Sequence, residues 1–220
     1  MREGEYSEPT GAEEAFAKVD RYLNPPPLLV VISGPSGVGK DSVVERMQEI
    51  GYPFHFVVTA TDRAPRPDEE DGRDYHFVST EEFEGMIEDD ELLEYAQVYG
   101  QYKGVPKAEV QDALASGQDV VMRVDIQGAA TVSEIVPQAL TIFLAPPSLD
   151  ILARRLRGRG GDSPAQLRER LETAVTEMRR MERFRYAVVN RQGRLDDTVR
   201  QTIAIMEAER CRVGRQPISV

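Results

Sequence analysis

Residues 28–42, LLVVISGPSGVGKDS, constrain this chain more than any other stretch. A short apolar, β-branched run over 28–33 is bounded by Pro25-Pro26-Pro27 in front and Gly34 behind, which predicts a buried strand. Val43, Val44 and Met47 then recur at helical spacing across 42–49, predicting a helix. Between them GPSGVGKDS fits G-x-x-x-x-G-K, with Gly34, Gly39 and Lys40 in place and Pro35, Ser36, Gly37 and Val38 between the glycines. In such a strand–loop–helix, the glycines let backbone amides converge on phosphate oxygens. The helix start adds partial positive charge, and Lys40 reaches the β- and γ-phosphates. A plain glycine turn ahead of a helix is the duller alternative, and the flanking strand and helix argue against it. One position departs from the pattern. Where Ser or Thr normally touches magnesium stands Asp41, with Ser42 one step later. A carboxylate there repels a nucleotide unless Mg²⁺ or Lys40 offsets it. The stretch predicts a nucleoside-triphosphate site with an unusual metal corner, Asp41 and Ser42 being the candidate Mg²⁺ contacts.

The rest of the chain repeats the alternation. Apolar runs over 120–125 and 140–144 alternate with helical patterns over 107–116, 149–156 and 167–181. A last strand is expected over 186–190, before a helix over 195–210. Strands alternating with helices predict an α/β fold, a mostly parallel sheet covered on both faces. Residues 58–103 interrupt the pattern with Arg-, Asp- and Glu-rich stretches and short strand-like pieces, so an inserted subdomain is expected. RGRGGDSP over 157–164 predicts a mobile loop. The acidic residues 1–24 predict an appended helix or a loose tail, and the three prolines a stiff linker. The expected organisation is a tail and linker over 1–27, one domain over 28–210 and a second tail over 211–220. Within the domain the core is 28–57, 109–150 and 167–210, the insertion about 58–108 and a lid about 151–166.

Composition mainly excludes. At roughly 150 residues per domain, 220 residues favour one large domain. The 27 Lys+Arg against 38 Asp+Glu give a net charge of −11, which disfavours a broad nucleic-acid or anionic-membrane surface. Cys211 is alone, so no intrachain disulfide forms, and with only His55 and His76 it cannot build the usual zinc site. The longest strongly apolar run, 28–32, is far below the ~18 residues of a membrane span. The acidic start fits neither a secretory signal nor a transit peptide. The expectation is a cytoplasmic monomer or homodimer acting on small molecules, with no nucleic acid and no membrane as partner.

Three segments say which small molecules. They read TATDRAPRPDEEDGRDYHFVS (59–79), ELLEYAQVYGQYKG (91–104) and RVDIQGA (123–129). Together with the phosphate loop they resemble guanylate kinase over about residues 28–204. The GKD, YKG and RVDIQGA forms are similar to those of a subclass that includes plant organellar members. The resemblance implies a P-loop NTPase-type parallel sheet with a GMP-binding insertion and an arginine-rich lid. It implies the reaction ATP + GMP → ADP + GDP, Mg²⁺-dependent, by direct in-line transfer. Residue chemistry agrees. Arg63 and Arg66, three apart on a proline-rich loop, can clamp a phosphate dianion, and Tyr75 can add a hydroxyl; a solvated Arg/Asp loop is the alternative. Guanine needs a donor opposite O6 and acceptors opposite N1 and N2. The resemblance assigns these to Thr59 and Glu94, and carries Asp125 to the acceptor side. It also aligns Asn190 with an adenine-side residue.

There are departures from the family pattern. Lys103 stands for a tyrosine, and can still neutralise the acceptor phosphate. Val105 and Pro106 stand for two hydroxyl residues, leaving the base to Thr59 and Glu94. Arg123 stands for an acidic residue two before Asp125, so position 123 has no metal role. LARRLRGRGGDSPAQLRERL (152–171) resembles the lid of nucleoside-monophosphate kinases. Its Arg155, Arg159 and Arg170 match family arginines that meet the transferring phosphoryl group late; a merely basic loop is the alternative. His55, His76, Cys211, Met178 and Met181 are expected to pack or face solvent. GKDS also resembles ribose 1,5-bisphosphate phosphokinase, which has no guanine to read, so the Arg63–Arg66–Tyr75–Glu94 set argues against it. Non-catalytic guanylate-kinase-like scaffold domains typically have degraded phosphate loops, whereas this one is intact.

Overall fold

A computed structural model describes residues 11–66, 69–98, 100–158 and 163–220. The chain opens with helix α1 (Ala12–Leu23), strand β1 (Leu29–Ser33) and helix α2 (Lys40–Glu49). Strands β2 (His55–Phe56), β3 (Ala60–Thr61) and β4 (His76–Phe77) follow, then α3 (Thr80–Glu88) and the hairpin β5 (Leu92–Val98) and β6 (Gln101–Pro106). Next come α4 (Lys107–Ala115), β7 (Val120–Arg123), α5 (Ile126–Ile135) and β8 (Leu140–Ala145). The chain finishes with α6 (Leu149–Gly158), α7 (Pro164–Met178), a 3-10 turn at Met181–Arg183, β9 (Tyr186–Val189) and α8 (Leu195–Arg210).

Every residue of β1 is buried, as a central parallel strand covered on both faces requires. Its neighbours are β7, with Leu29 opposite Val120, and β8, with Val30 opposite Leu140, both parallel. The main sheet runs β2-β7-β1-β8-β9. Successive residues of β1 point to opposite faces and so build two apolar layers. Val30 and Ile32 pack with Val43, Met47, Val199 and Met206 on one face. Leu29 and Val31 pack with Val110, Met122, Ala129 and Val132 on the other. Each of these Val, Leu, Ile and Met side chains, fully buried, contributes about 1.5–3 kcal/mol. Because the chain leaves β1 toward β2 on one side of the sheet and leaves β7 toward β8 on the other, the strand order reverses between β1 and β7. Open α/β sheets bind ligands at that reversal, beyond the carboxyl ends of the strands.

The insertion folds as a second sheet, β4-β3-β6-β5, with β6 antiparallel to both β3 and β5. Phe83 of α3 closes it by stacking on Tyr102 at 5.0 Å. α3 itself starts at a capping box, Ser79 with Glu82, and α7 at another, Ser163 with Gln166, such caps contributing about 1 kcal/mol.

One of the two ends departs from expectation. Residues 12–23 form the helix of the two alternatives left open. The C-terminal stretch is packed rather than trailing. Arg215 donates to the carbonyls of Pro26 and Pro27, and Ile218 and Val220 pack against the second apolar layer. Asp119 joins in, accepting from Leu28 N at 2.8 Å and from Arg210 at 2.7 Å. The proline linker is thereby pinned from both sides. Among the described residues no helix is long and apolar enough to cross a membrane.

Candidate active site

A cleft of about 940 Å³ opens where β1 and β7 end, walled by the second sheet and α7. Its floor is the phosphate loop. Gly34 has φ +144°, and any Cβ there would collide with the Leu144 carbonyl. Gly39, at φ +100°, caps α2 in the left-handed region that favours glycine, and a Cβ would stand 2.5 Å from Asn190 Nδ2. No side chain caps α2, so its first-turn amides are directed to the cleft as an anion site. Lys40 Nζ donates to the carbonyls of Gly34 at 2.5 Å and Pro35 at 3.3 Å. Burial pushes its ammonium down to about 8, against the pull of Asp41 and Glu177.

The metal corner differs from expectation. Asp41 Oδ1 accepts from Arg123 Nη1 at 2.5 Å, so the counter-charge comes from β7, in addition to the nearby Lys40. Ser42 is exposed and outside the cleft lining, because the helical turn carries it away from Asp41. Of the two expected metal contacts, only Asp41 faces the site. β7 ends at Arg123, and Asp125, expected at the end of the strand, caps α5 instead. Its Oδ1 accepts from the amides of Gln127 at 2.7 Å and Gly128 at 2.9 Å, and the residue lines the cleft.

On the insertion side, Thr59 and Glu94 line the cleft and are each 4% exposed. Thr59 Oγ1 and Glu94 Oε2 are buried without a hydrogen-bond partner. The β5–β6 register shifts between Leu92 and Glu94, a bulge-like irregularity that re-aims side chains, and Leu93 and Glu94 are both buried although consecutive. Gly128 makes room, since a Cβ there would collide with the Glu94 carboxylate. Burial, and secondarily the charge of Asp125, pushes the Glu94 carboxyl up to about 8. Val105 is buried opposite Glu94 and Pro106 ends β6 as the N-cap of α4, neither offering a donor side chain.

Arg63, Arg66, Tyr75 and Lys103 also line the cleft. Arg63 lies 4.7 Å over the Tyr75 ring and Lys103 5.8 Å from it. Glu69, which sequence reasoning missed, holds Arg63 through two 2.6 Å bonds and accepts from Arg66 N at 2.9 Å. Its spacing, three residues past one arginine and six past the other, was the available signal. Arg63 is thereby fixed, its side chain 8% exposed, while that of Arg66 is 66% exposed.

α7 brings Arg170, Thr173 and Glu177 to the cleft on one helical face, at i, i+3 and i+7. Glu177 is a second missed residue, readable only from that spacing to Arg170. Burial pushes its carboxyl up, and Lys40 opposes the shift. Two expected nucleotide contacts have other work. Arg155 donates to the carbonyls of Val38 and Asn190, both at 2.9 Å, and is outside the cleft lining. Asn190 is buried; its Nδ2 donates to Val38 O at 2.8 Å and its Oδ1 accepts from Thr198 at 3.2 Å. Both brace the phosphate loop from behind, because carbonyls turned away from a phosphate site still need donors. Arg159 lies outside the described residues, as does half of the expected mobile loop.

Known proteins share this arrangement. A family model described as guanylate kinase matches residues 27–209. A rice (Oryza sativa subsp. japonica) protein named guanylate kinase 2, chloroplastic/mitochondrial, is 51% identical over 197 residues, 89% of this chain and 69% of its own length. A guanylate kinase of Latilactobacillus sakei is 45% identical over 189 residues, covering 86% of this chain and 92% of that one. The crystal structure of a guanylate kinase from Anaplasma phagocytophilum superposes with a TM-score of 0.72 at 30% identity, over 86% of this chain and 89% of that one. With the phosphate loop, the insertion and nearly the whole domain matched, the chain belongs to the guanylate kinase family.

Proposed function

We propose that this guanylate kinase-family enzyme transfers the γ-phosphoryl group of ATP to GMP, giving ADP and GDP, and reads the acceptor base at Thr59 and Glu94. The observation that carries the reading is the pair of orphaned oxygens, Thr59 Oγ1 and Glu94 Oε2, buried at the cleft wall. Buried polar atoms are nearly always paired, and an orphan costs about 1–3 kcal/mol. Guanine satisfies both, its O6 accepting from the hydroxyl and its N1–H and N2–H donating to the carboxylate. Adenine offers an amino group where O6 should be and has no N2 amine, so it leaves the carboxylate short of donors.

Arg63, Arg66, Tyr75 and Lys103 then receive the GMP phosphate, and Lys40 with the α2 amides the donor phosphates. An oxygen of the GMP phosphate attacks the γ-phosphorus in line, the bond to the β-phosphate oxygen breaks, and no enzyme–phosphoryl intermediate forms. Protein groups supply position and positive charge, here Lys40, Arg170 and the Arg159 expected from the family. Asp41, Asp125 and Glu177 bring carboxylate oxygens to the cleft that holds Lys40. Among the described residues no three carboxylates cluster closely enough to hold a metal by themselves, so Mg²⁺, which keeps most of its waters, would be held by one or two of these carboxylates together with substrate phosphates. When bound, the ion neutralises charge on the β- and γ-oxygens. Ser42 is not among its candidate ligands.

The test is a coupled assay of ADP formation with GMP, AMP, CMP, UMP and ribose 1,5-bisphosphate as acceptors. GMP is expected to lead AMP by up to ~10⁴-fold in kcat/KM, the discrimination a buried hydrogen-bonding site can reach. Comparable values for AMP and GMP, or a preference for the sugar phosphate, refute the base assignment.

A further inference from the structure

Arg123 stands at the end of β7 with its side chain 13% exposed. Its guanidinium meets three separate parts of the chain. Nη1 is 2.5 Å from Asp41 Oδ1 in the first turn of α2, and Cζ is 5.1 Å from the centre of the Tyr75 ring. Phe56 of β2 lies at 5.7 Å, and Nη2 approaches the Asp74 carbonyl at 3.5 Å. Asp41 lines the same cleft as Gly39 and Lys40, so its carboxylate faces the place where a triphosphate has to lie. A bare carboxylate there opposes a polyanion, most strongly where water is scarce.

We propose that Arg123 is a positioning residue that makes this acidic phosphate loop competent for nucleotide, holding the Asp41 carboxylate off the phosphates and tying α2 to the Tyr75 side of the acceptor clamp. Arginine suits the place for two reasons. It stays charged when buried, so the pair remains neutral as a unit, and its planar group can bond Asp41 at its edge while its face covers an aromatic ring. The inference rests on the reading of residues 34–42 as the ATP phosphate site. Nothing local signals it, because Asp41 and Arg123 are 82 positions apart.

The test is a double-mutant cycle read by binding rather than turnover. Anisotropy of N-methylanthraniloyl-ATP is measured in EDTA with the wild type, Arg123→Met, Asp41→Ser, the double variant and Lys40→Met. Arg123→Met is expected to weaken binding by at least about five-fold, since it exposes the phosphates to a carboxylate that has lost its arginine. Asp41→Ser should bind more tightly than the wild type. The double variant should return to within about three-fold of the wild type, because the two residues act as one unit. A smaller loss in Arg123→Met, or a double variant no tighter than Arg123→Met, overturns the proposal; the second is what a merely structural arginine would give. Should Arg123→Met fail to fold, Asp41→Ser is compared with the double variant: similar affinities are expected if Arg123 acts through Asp41, and a double variant weaker by about five-fold or more overturns it. If Lys40→Met binds like the wild type, the loop reading itself falls and takes the proposal with it.

Discussion

Glu94 makes GMP binding a proton-linked event, and the size of the effect follows from its burial. With the carboxyl pushed up to about 8, only about a tenth of the protein carries the carboxylate at pH 7. Guanine presents two donors, N1–H and N2–H, so the bound form needs the ionised group and nearly one proton leaves per GMP. That release weakens binding about ten-fold at pH 7. Raising the pH to 8.5 ionises roughly three-quarters of the sites, so the apparent Kd for GMP should tighten by about eight-fold. Glu94→Gln should lose this dependence. It should also bind GMP about 10²–10³-fold more weakly at pH 8.5, because a charge-assisted bond is lost and one guanine donor meets an amide N–H₂. The assay is isothermal titration of GMP from pH 6.5 to 8.5 in two buffers of different ionisation enthalpy. The phosphate of GMP itself titrates near pH ~6, and Glu94→Gln reports that contribution alone. Stability gives an independent check. A carboxyl whose folded pKa is raised is neutral in both states at low pH, so it weakens the fold only as pH climbs from about 4.5 to about 8. Relative to Glu94→Gln, the ligand-free wild type should therefore lose roughly 3 kcal/mol between pH 4.5 and 7. No proton release at pH 7 beyond that of Glu94→Gln, or a tightening toward pH 8.5 that is as large in Glu94→Gln as in the wild type, refutes the reasoning.

Two further outcomes test the acceptor half. Gly128→Ala puts a methyl group into the Glu94 carboxylate. That group is the end of a flexible side chain and can swing aside, so GMP KM should rise at least about ten-fold while stability falls by less than about 1.5 kcal/mol. Steady-state kinetics with a denaturant titration decide it, and an unchanged KM removes Glu94 from the base site. Arg63→Ala and Arg66→Ala should differ, although sequence treats them alike. Both should raise GMP KM, but only Arg63→Ala leaves Glu69 short of its buried partner, so its melting temperature should fall by about 2–8 °C while Arg66→Ala stays near wild type. Equal melting temperatures refute the bracing role of Glu69.

The local parts of this protein are written in contiguous residues. Strand β1, the glycine loop and α2 follow one another within twenty positions, so composition and period predict them together. The alternation of strands and helices, and its interruption by the insertion, are legible for the same reason. Helices α3 and α5 carry start signals that apolar periodicity does not register. One is the Ser79–Glu82 box; the other is Asp125, read as the end of a strand when its carboxylate in fact caps a helix. What no local pattern contains is the pairing of distant segments. By the family resemblance Arg155 is a lid arginine for the transferring phosphoryl group and Asn190 an adenine-side residue, yet tertiary packing brings both behind the phosphate loop, where the Val38 carbonyl needs donors. Glu94 looks like a solvent-facing acid in ELLEYA until the register shift and Gly128 bury it. Arg123 becomes the partner of Asp41 only because β7 lies beside β1 in the sheet. Residue type and spacing specify which elements form. Burial and charge pairing depend on which elements meet, and that is decided by tertiary packing alone.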